Sequence, residues 1–219
     1  LVTFTGLPET VHTIHVISED RSIPVKNGSF SDQFNECQGH AYTTGTPPVL
    51  ESVDAVNQRI DEAWAKRARP GNFLFQRYKD DAVIITASDT FVNYSMAGAE
   101  TVLWHLCDGY VPESSKGYGL LFWSSVINKL PAWIEFAPKK APFELGCVEI
   151  DTLDYSLKEF TIEVRSGDTW KQVYENRDAS ATNHHVCRFP SENTSRFRIN
   201  ILSSNGDRAR IGEVAAFAR

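Results

Sequence analysis

Apolar and polar residues alternate most clearly between Leu130 and Arg165, where three strand patterns follow one another. Trp133–Phe136 alternates, Cys147–Ile150 is short and apolar, and Glu159–Arg165 alternates again. In the last, Phe160, Ile162 and Val164 fall on one face and Glu159, Thr161, Glu163 and Arg165 on the other, the period of a strand with one side in a core and one in water. The same pattern continues downstream. Ser166-Gly-Asp-Thr-Trp-Lys-Gln-Val-Tyr-Glu predicts a turn and a strand, and His184-His-Val-Cys-Arg-Phe predicts another. Between Ser195 and Leu202, Phe197, Ile199 and Ile201 alternate with Arg196, Arg198 and Asn200, and Arg210-Ile-Gly-Glu-Val-Ala-Ala-Phe closes the chain. Many short alternating strands separated by turn residues predict an all-β sandwich.

The first 45 residues alternate in their own right. Val2 and Phe4, then Val11, Thr13, His15 and Ile17, then Ile23 and Val25, then a strand near Gly39-His-Ala-Tyr are separated by turn residues, which predicts an antiparallel meander. So few short strands seldom hold a core alone. Residues 1–45 are therefore expected to complete a sheet or to pack against the second domain, and a strand already in progress at Leu1 suggests a piece of something longer. Thr43-Thr-Gly-Thr-Pro-Pro has linker composition. From Val49 to Arg69, Leu50, Val53, Val56, Ile60, Ala63 and Trp64 recur at three- and four-residue steps, predicting one amphipathic helix that Pro70-Gly71 ends. The expected organisation is 1–45 terminal strands, 46–70 linker and bracing helix, and 71–219 a second domain.

Composition narrows the function. The 219 residues are 42% hydrophobic and 23% charged, an ordinary globular balance. A net charge of −6 argues against nucleic acid, which calls for a basic patch, and the single short basic run at Ala65-Lys-Arg-Ala-Arg-Pro predicts only a solvated helix end. No segment has the roughly 18 apolar residues of a membrane helix, so no membrane partner is expected. The four cysteines, Cys37, Cys107, Cys147 and Cys187, lack zinc spacing; their even number permits two disulfides, while the strand settings of Cys147 and Cys187 favour free buried thiols. Sequons at Asn27, Asn93 and Asn193 matter only in a eukaryotic secretory setting.

The order of several short motifs carries a resemblance. Asp108-Gly109, Trp123-Ser-Ser, Pro131-Ala-Trp-Ile-Glu-Phe, Phe160-Thr-Ile-Glu-Val, Trp170, Arg198-Ile-Asn and Ile211-Gly-Glu-Val together resemble the discoidin, or coagulation-factor type C, family, over roughly Gly71 to Arg219. The resemblance implies a discoidin-like, galactose-binding-like jelly roll similar to family 32 carbohydrate-binding modules. Upstream, Phe4-Thr-Gly-Leu-Pro, Val16-Ile-Ser-Glu-Asp-Arg, Gly28-Ser-Phe-Ser-Asp-Gln-Phe and His40-Ala-Tyr resemble the last strands of the β-sandwich that follows the catalytic barrel in several bacterial glycoside hydrolases. It implies a partial antiparallel sandwich, which the helix read from periodicity would link to the jelly roll.

No residue set predicts catalysis within this chain. A glycosidase needs two carboxylates across a cleft, and none of the 28 acidic residues stands in a barrel-strand context; a GxSxG elbow is absent. His184 and His185 are adjacent in a strand pattern, so they point to opposite faces and cannot readily share a metal ion. The discoidin resemblance implies a structural calcium ion on Asp108, Ser114 or Ser115, and Glu213; the alternative is a loop tied by hydrogen bonds of Asp108. A sugar needs an aromatic face and polar groups for its hydroxyls. Tyr94, Tyr110, Tyr118 and Phe122 lie in loop-like sequence and are the candidate platforms, with Asn93, Asn183, His184 and Arg196 as candidate hydrogen-bonding groups. Trp123, Trp133 and Trp170 are expected in the core. The expected function is a non-catalytic carbohydrate-binding module that tethers a secreted or cell-surface glycoside hydrolase to a polysaccharide or oligosaccharide, with the upstream catalytic domain of the same protein as its partner. A structural or protein-interaction discoidin domain is the alternative.

Overall fold

The computed structural model describes residues 1–17, 19–46, 48–77, 80–91, 103–113, 121–177 and 182–218. The chain forms two compact units, Leu1–Ile60 and Asp61–Arg219. Among the described residues no helix is long and apolar enough to cross a membrane.

The first unit contains β1 (Val2–Phe4), β2 (Thr13–Val16), β3 (Arg21–Pro24), β4 (Phe30–Asp32) and β5 (Tyr42–Thr43). They are not a meander. β1 pairs with β4, while β2 lies between β3 and β5. Side-chain chemistry favours this order: the rings of Phe4 and Phe30 stack at 4.8 Å, Tyr42 meets Phe30 edge-on at 5.1 Å, and Arg21 holds Asp32 through two bonds of 2.9 and 2.8 Å. The inward residues of β2 are Ile14 and Val16, not the phase of Val11, Thr13, His15 and Ile17. Apolar residues occupy both phases of that stretch, and a slip of one residue turns every side chain to the other face. The helix α1 spans Val53–Ala65, shorter at both ends than the periodicity predicts, and buries none of its residues. Ser52 caps it, its Oγ accepting from the Ala55 amide at 3.1 Å.

The second unit is a two-sheet β-sandwich. Its strands are β6 (Val83–Ala87), β7 (Trp123–Ser124), β8 (Ala132–Pro138), β9 (Phe143–Thr152), β10 (Leu157–Ser166), β11 (Thr169–Asn176), β12 (His184–Thr194), β13 (Phe197–Ser204) and β14 (Arg210–Phe217). One sheet has the order β11-β10-β13-β8-β6 and the other β12-β9-β14-β7, and every pairing is antiparallel. The inward phase of each long strand fills the space between the sheets: Ile134 and Phe136 from β8, Phe160 and Ile162 from β10, Phe197, Ile199 and Ile201 from β13, Val148 and Ile150 from β9, Val214 and Ala216 from β14. Phe136 and Phe197 stack at 5.0 Å. At about 25 cal/mol per Å² of apolar area removed from water, a continuous core of this kind dominates the stability of the unit.

Of the three strand tryptophans, only Trp123 is in the core, fully buried with its Nε1 donating to the Asp89 carbonyl at 3.0 Å. Trp133 and Trp170 are half-buried on the outer face of the five-stranded sheet. Trp133 stands between the buried Ala132 and Ile134, so strand alternation turns it outward. Trp170 lies against two guanidinium groups, Arg198 at 4.3 Å and Arg165 at 5.5 Å from the ring centroid. All four cysteines are free: Cys107 and Cys187 are buried, Cys147 is half-buried and Cys37 exposed. Cys147 and Cys187 lie on neighbouring strands, but Val148, not Cys147, stands opposite Cys187, so the two thiols face opposite sides of the sheet.

Candidate functional site

Strand registers place the candidate residues at the two ends of the sandwich. His184 opens β12 opposite Asp151 near the end of β9, and Glu213 on β14 stands opposite the same Asp151. The turn 153–156, the segment 205–209 and the loop carrying Asp108 and Tyr110 gather at this end. Arg196 does not. It follows β12 at the far end, next to Phe197, and donates to Glu135 Oε1 at 2.9 Å on the outer face of the five-stranded sheet. Eleven strand residues, on the order of 30 Å, separate it from His184. Arg196 therefore cannot share a small ligand with Asn183 and His184.

Among the aromatic candidates, Tyr94 and Tyr118 lie outside the described residues, as do Asn93, Ser114 and Ser115. Phe122 is buried at 8% exposure and offers no platform. Tyr110 is exposed, but the Arg67 guanidinium lies 5.6 Å from its ring centroid and also covers Trp64 at 4.6 Å. One side of its ring thus has a cation partner.

Tyr155 is the residue that sequence patterning passes over. It sits in the tight turn between β9 and β10, with its side chain outward and 51% of the residue exposed. Asp154 and Tyr155 both have positive φ, 56° and 53°, the left-handed conformation that reverses a chain in two residues. Hydrogen bonds from three segments of the chain hold the turn. The Tyr155 amide donates to Asn183 Oδ1 at 2.7 Å, Asn205 Nδ2 donates to the Tyr155 carbonyl at 2.9 Å, and the Ser156 amide donates to the Leu153 carbonyl at 3.1 Å. Asn183 also takes a bond from Thr152 Oγ1 at 3.4 Å, so its side-chain oxygen is committed to the turn. Beside it, His184 pairs through Nδ1 with Asp151 Oδ1 at 2.7 Å and leaves 48% of its side chain exposed. Asp151 also takes a bond from Arg69, which reaches Glu149 at 2.6 Å as well. His185, on the other face, is buried, and desolvation lowers its pKa. The signal in the sequence is an aromatic residue inside a turn tetrapeptide, Leu153-Asp-Tyr-Ser.

The Asp108 loop is built against β14. Asp108 is buried; its Oδ2 lies 2.8 Å from His105 Nδ1, and its Oδ1 accepts from the Tyr110 amide at 2.8 Å. Gly109 has φ +73°, and a side chain there would strike the Arg67 carbonyl at 2.6 Å. At Gly212 a Cβ would meet Pro112 at 2.9 Å, which shows how closely the loop lies on β14. Under the loop, Glu213 is fully buried, and neither carboxyl oxygen makes a well-formed hydrogen bond with a described residue. Burial first, and then the charge of Asp108, pushes the Glu213 pKa up to about 10; the Gly109 amide opposes them only in part. A carboxyl in such a place is either protonated at neutral pH or neutralised by a cation. Among the described residues no group of three or more His, Cys, Asp or Glu side chains is arranged around one ion. Calcium also accepts backbone carbonyls, so Asp108 in its glycine-punctuated loop and Glu213 on the β14 strand beneath it are donors of the kind that calcium takes.

No family model and no curated protein matches the sequence. Solved structures do resemble it. A chitosan-binding module of a chitosanase/glucanase from Paenibacillus superposes with a TM-score of 0.50 at 17% identity, covering 67% of this chain and 98% of that module. A putative α-L-fucosidase from Bacteroides thetaiotaomicron gives a TM-score of 0.50 at 15% identity over 78% of this chain, which spans 34% of the fucosidase. A Clostridium perfringens module in complex with GalNAc-β-1,3-galactose covers 63% of this chain at 16% identity and a TM-score of 0.49. The two-sheet unit thus shares its β-sandwich fold with the Paenibacillus module.

Proposed function

We propose that the Asp61–Arg219 unit is a non-catalytic saccharide-binding module that engages its ligand at the end of the sandwich bearing Tyr155, Asn183 and His184. The observation that carries this is Tyr155 itself: a half-exposed ring on a turn whose amide is bonded to Asn183, the residue before the half-exposed His184. A sugar presents an apolar C–H face to an aromatic ring and hydroxyls to neighbouring donors and acceptors. Tyr155 supplies the ring, His184 a polar group oriented by Asp151, and Asn183 the support of the turn. Tyr110 is a second ring at the same end, and Tyr94 and Tyr118 remain candidates from their loop sequence. A shallow surface of this kind buries little of its ligand, so affinities in the millimolar to micromolar range, roughly 4–8 kcal/mol, suit it.

On the same proposal the module acts outside the cell, secreted or at its surface, where it holds an attached glycoside hydrolase near its polysaccharide and raises the local concentration of substrate. The likeness of the fold to that of a chitosan-binding module supports the saccharide class. Calcium belongs to the proposal as a structural ion held by Asp108 and Glu213; it would neutralise a buried carboxyl and fasten the loop to β14.

Glycan-array screening followed by calorimetric titration of the chain and its Tyr155→Ala and Tyr110→Ala variants tests the proposal. Saturable binding that weakens at least tenfold in Tyr155→Ala is the expected result. Absence of binding to any plant, algal or animal polysaccharide, or binding indifferent to both substitutions, would favour the protein-interaction alternative.

A further inference from the structure

The outer face of the four-stranded sheet carries a second constellation, away from the end loops. Arg188 on β12 stands opposite Cys147 on β9, and Cys147 stands opposite Phe217 on β14. Paired residues share a face, so these three form one row across the sheet. Their neighbours in the next row, Cys187, Val148 and Ala216, point the other way into the core. Arg188 is exposed, and Cys147 and Phe217 are half-buried.

The middle of the row is low because Gly146 has no side chain and Cys147 a short one, while larger side chains rise on both flanks. The result is an open cavity of about 530 Å³ lined by Gly146, Cys147, Glu149, Arg188, Pro190 and Phe217. Two strand spacings, roughly 10 Å, separate the backbones of Arg188 and Phe217, room for one pyranose ring between them. The cavity also lies within the size range of small-molecule sites.

Its exposed charged group is Arg188. Glu149 is paired with Arg69, which donates to its Oε2 at 2.6 Å and also holds Asp151. Burial raises the pKa of the Cys147 thiol, so it carries no charge near neutrality. Arg188, in contrast, makes no ion pair or side-chain hydrogen bond among the described residues. A guanidinium with no such partner among the described residues, beside an apolar wall, calls for a ligand that has both a carboxylate and an apolar face.

We propose that this slot is a second saccharide site, selective for a carboxylate-bearing pyranose such as a uronic acid, with the sugar face against Phe217 and Pro190 and the carboxylate on Arg188. The choice of a sugar among carboxylates rests on the saccharide-binding role of the end loops; the charge selectivity rests on the slot alone.

The test uses the full chain, with backbone amide NMR shifts followed during titration by methyl β-D-glucuronide, methyl β-D-glucoside and benzoate. The glucuronide is expected to shift Cys147 and Ala216 saturably, with the glucoside at least tenfold weaker and benzoate weaker than the glucuronide. Arg188→Gln, a change at an exposed position, is expected to lower glucuronide affinity at least tenfold; Phe217→Leu should weaken it with the fold intact. Tyr155→Ala should leave it unchanged. Glucuronide affinity unaffected by Arg188→Gln, or a glucoside bound as tightly, overturns the charge selectivity. Benzoate bound as tightly as the glucuronide overturns the sugar assignment. Shifts confined to Tyr155, Asn183 and His184 overturn the slot while supporting the end site, so the two proposals fail separately.

Discussion

The amide of Tyr155 donates to the side-chain oxygen of Asn183 at 2.7 Å, which ties the turn after β9 to the residue that precedes β12. An exposed ring is thereby fixed in a left-handed backbone conformation that costs an ordinary residue roughly 1–2 kcal/mol. Glycine adopts that conformation without the cost, although it brings extra freedom to the unfolded chain. Tyr155→Gly is therefore expected to leave the melting temperature unchanged or raise stability by up to about 1 kcal/mol while glycan binding falls at least tenfold. Thermal unfolding and calorimetric titration of the same variant check this. A loss of stability together with unchanged binding would show that the ring serves packing.

Calcium is the second case. Bound to the folded state alone, an ion at 100 times its dissociation constant adds about 2.7 kcal/mol. Calcium is expected to raise the melting temperature of the chain, and Asp108→Asn or Glu213→Gln should abolish the rise. Without calcium, Glu213→Gln should cost little, because it replaces a buried carboxyl with a neutral group of similar shape. A chelator-and-readdition melting series reads both effects, and no shift at saturating calcium would remove the ion from this site.

Acid acts on the first unit through Asp32. Its bonds to Arg21 hold the carboxyl far below the ordinary value near 3.8, and the Tyr42 hydroxyl, donating at 2.7 Å, adds to this. A carboxyl whose folded pKa is depressed contributes stability that is present above its unfolded value and lost as pH falls through the folded one. Protection of the Ile14 and Ile23 amides from hydrogen exchange is therefore expected to hold down to about pH 4 and to decline below it. Asp32→Asn should lower protection at neutral pH and flatten that decline. A decline that keeps its slope in the variant would place the acid-sensitive group elsewhere.

The strands of the second unit are legible along the chain because each long one is half-buried, and period-two alternation is the direct imprint of a sheet with one face in a core. Phe160, Ile162 and Val164, and Phe197, Ile199 and Ile201, are all buried on the faces that the alternation predicts. The order of Asp108-Gly, Trp123-Ser-Ser and Ile211-Gly-Glu-Val likewise pointed to the fold that the solved structures share. In β2 the same method fails, because Val11, Ile14, Val16 and Ile17 supply apolar residues in both phases and only packing against Ile23 and the neighbouring strands selects one. Residue type misplaced Trp133 and Trp170: a large aromatic suggests a core, but strand phase, not size, decides the face.

What tertiary structure alone decided is which distant residues meet. Asn183, His184 and Arg196 are close in sequence, but β12 carries Arg196 to the opposite end of the sandwich, while Tyr155 and Asn183, 28 positions apart, share a hydrogen bond. Glu213 stands out along the chain only through the family resemblance; its complete burial beneath the Asp108 loop appears only in the fold. The row of Arg188, Cys147 and Phe217 joins three strands whose pairing depends on register, which no local pattern encodes. Alternation is a property of each strand by itself and is written in its own residues; the choice of neighbours depends on the free energy of the whole packed sandwich.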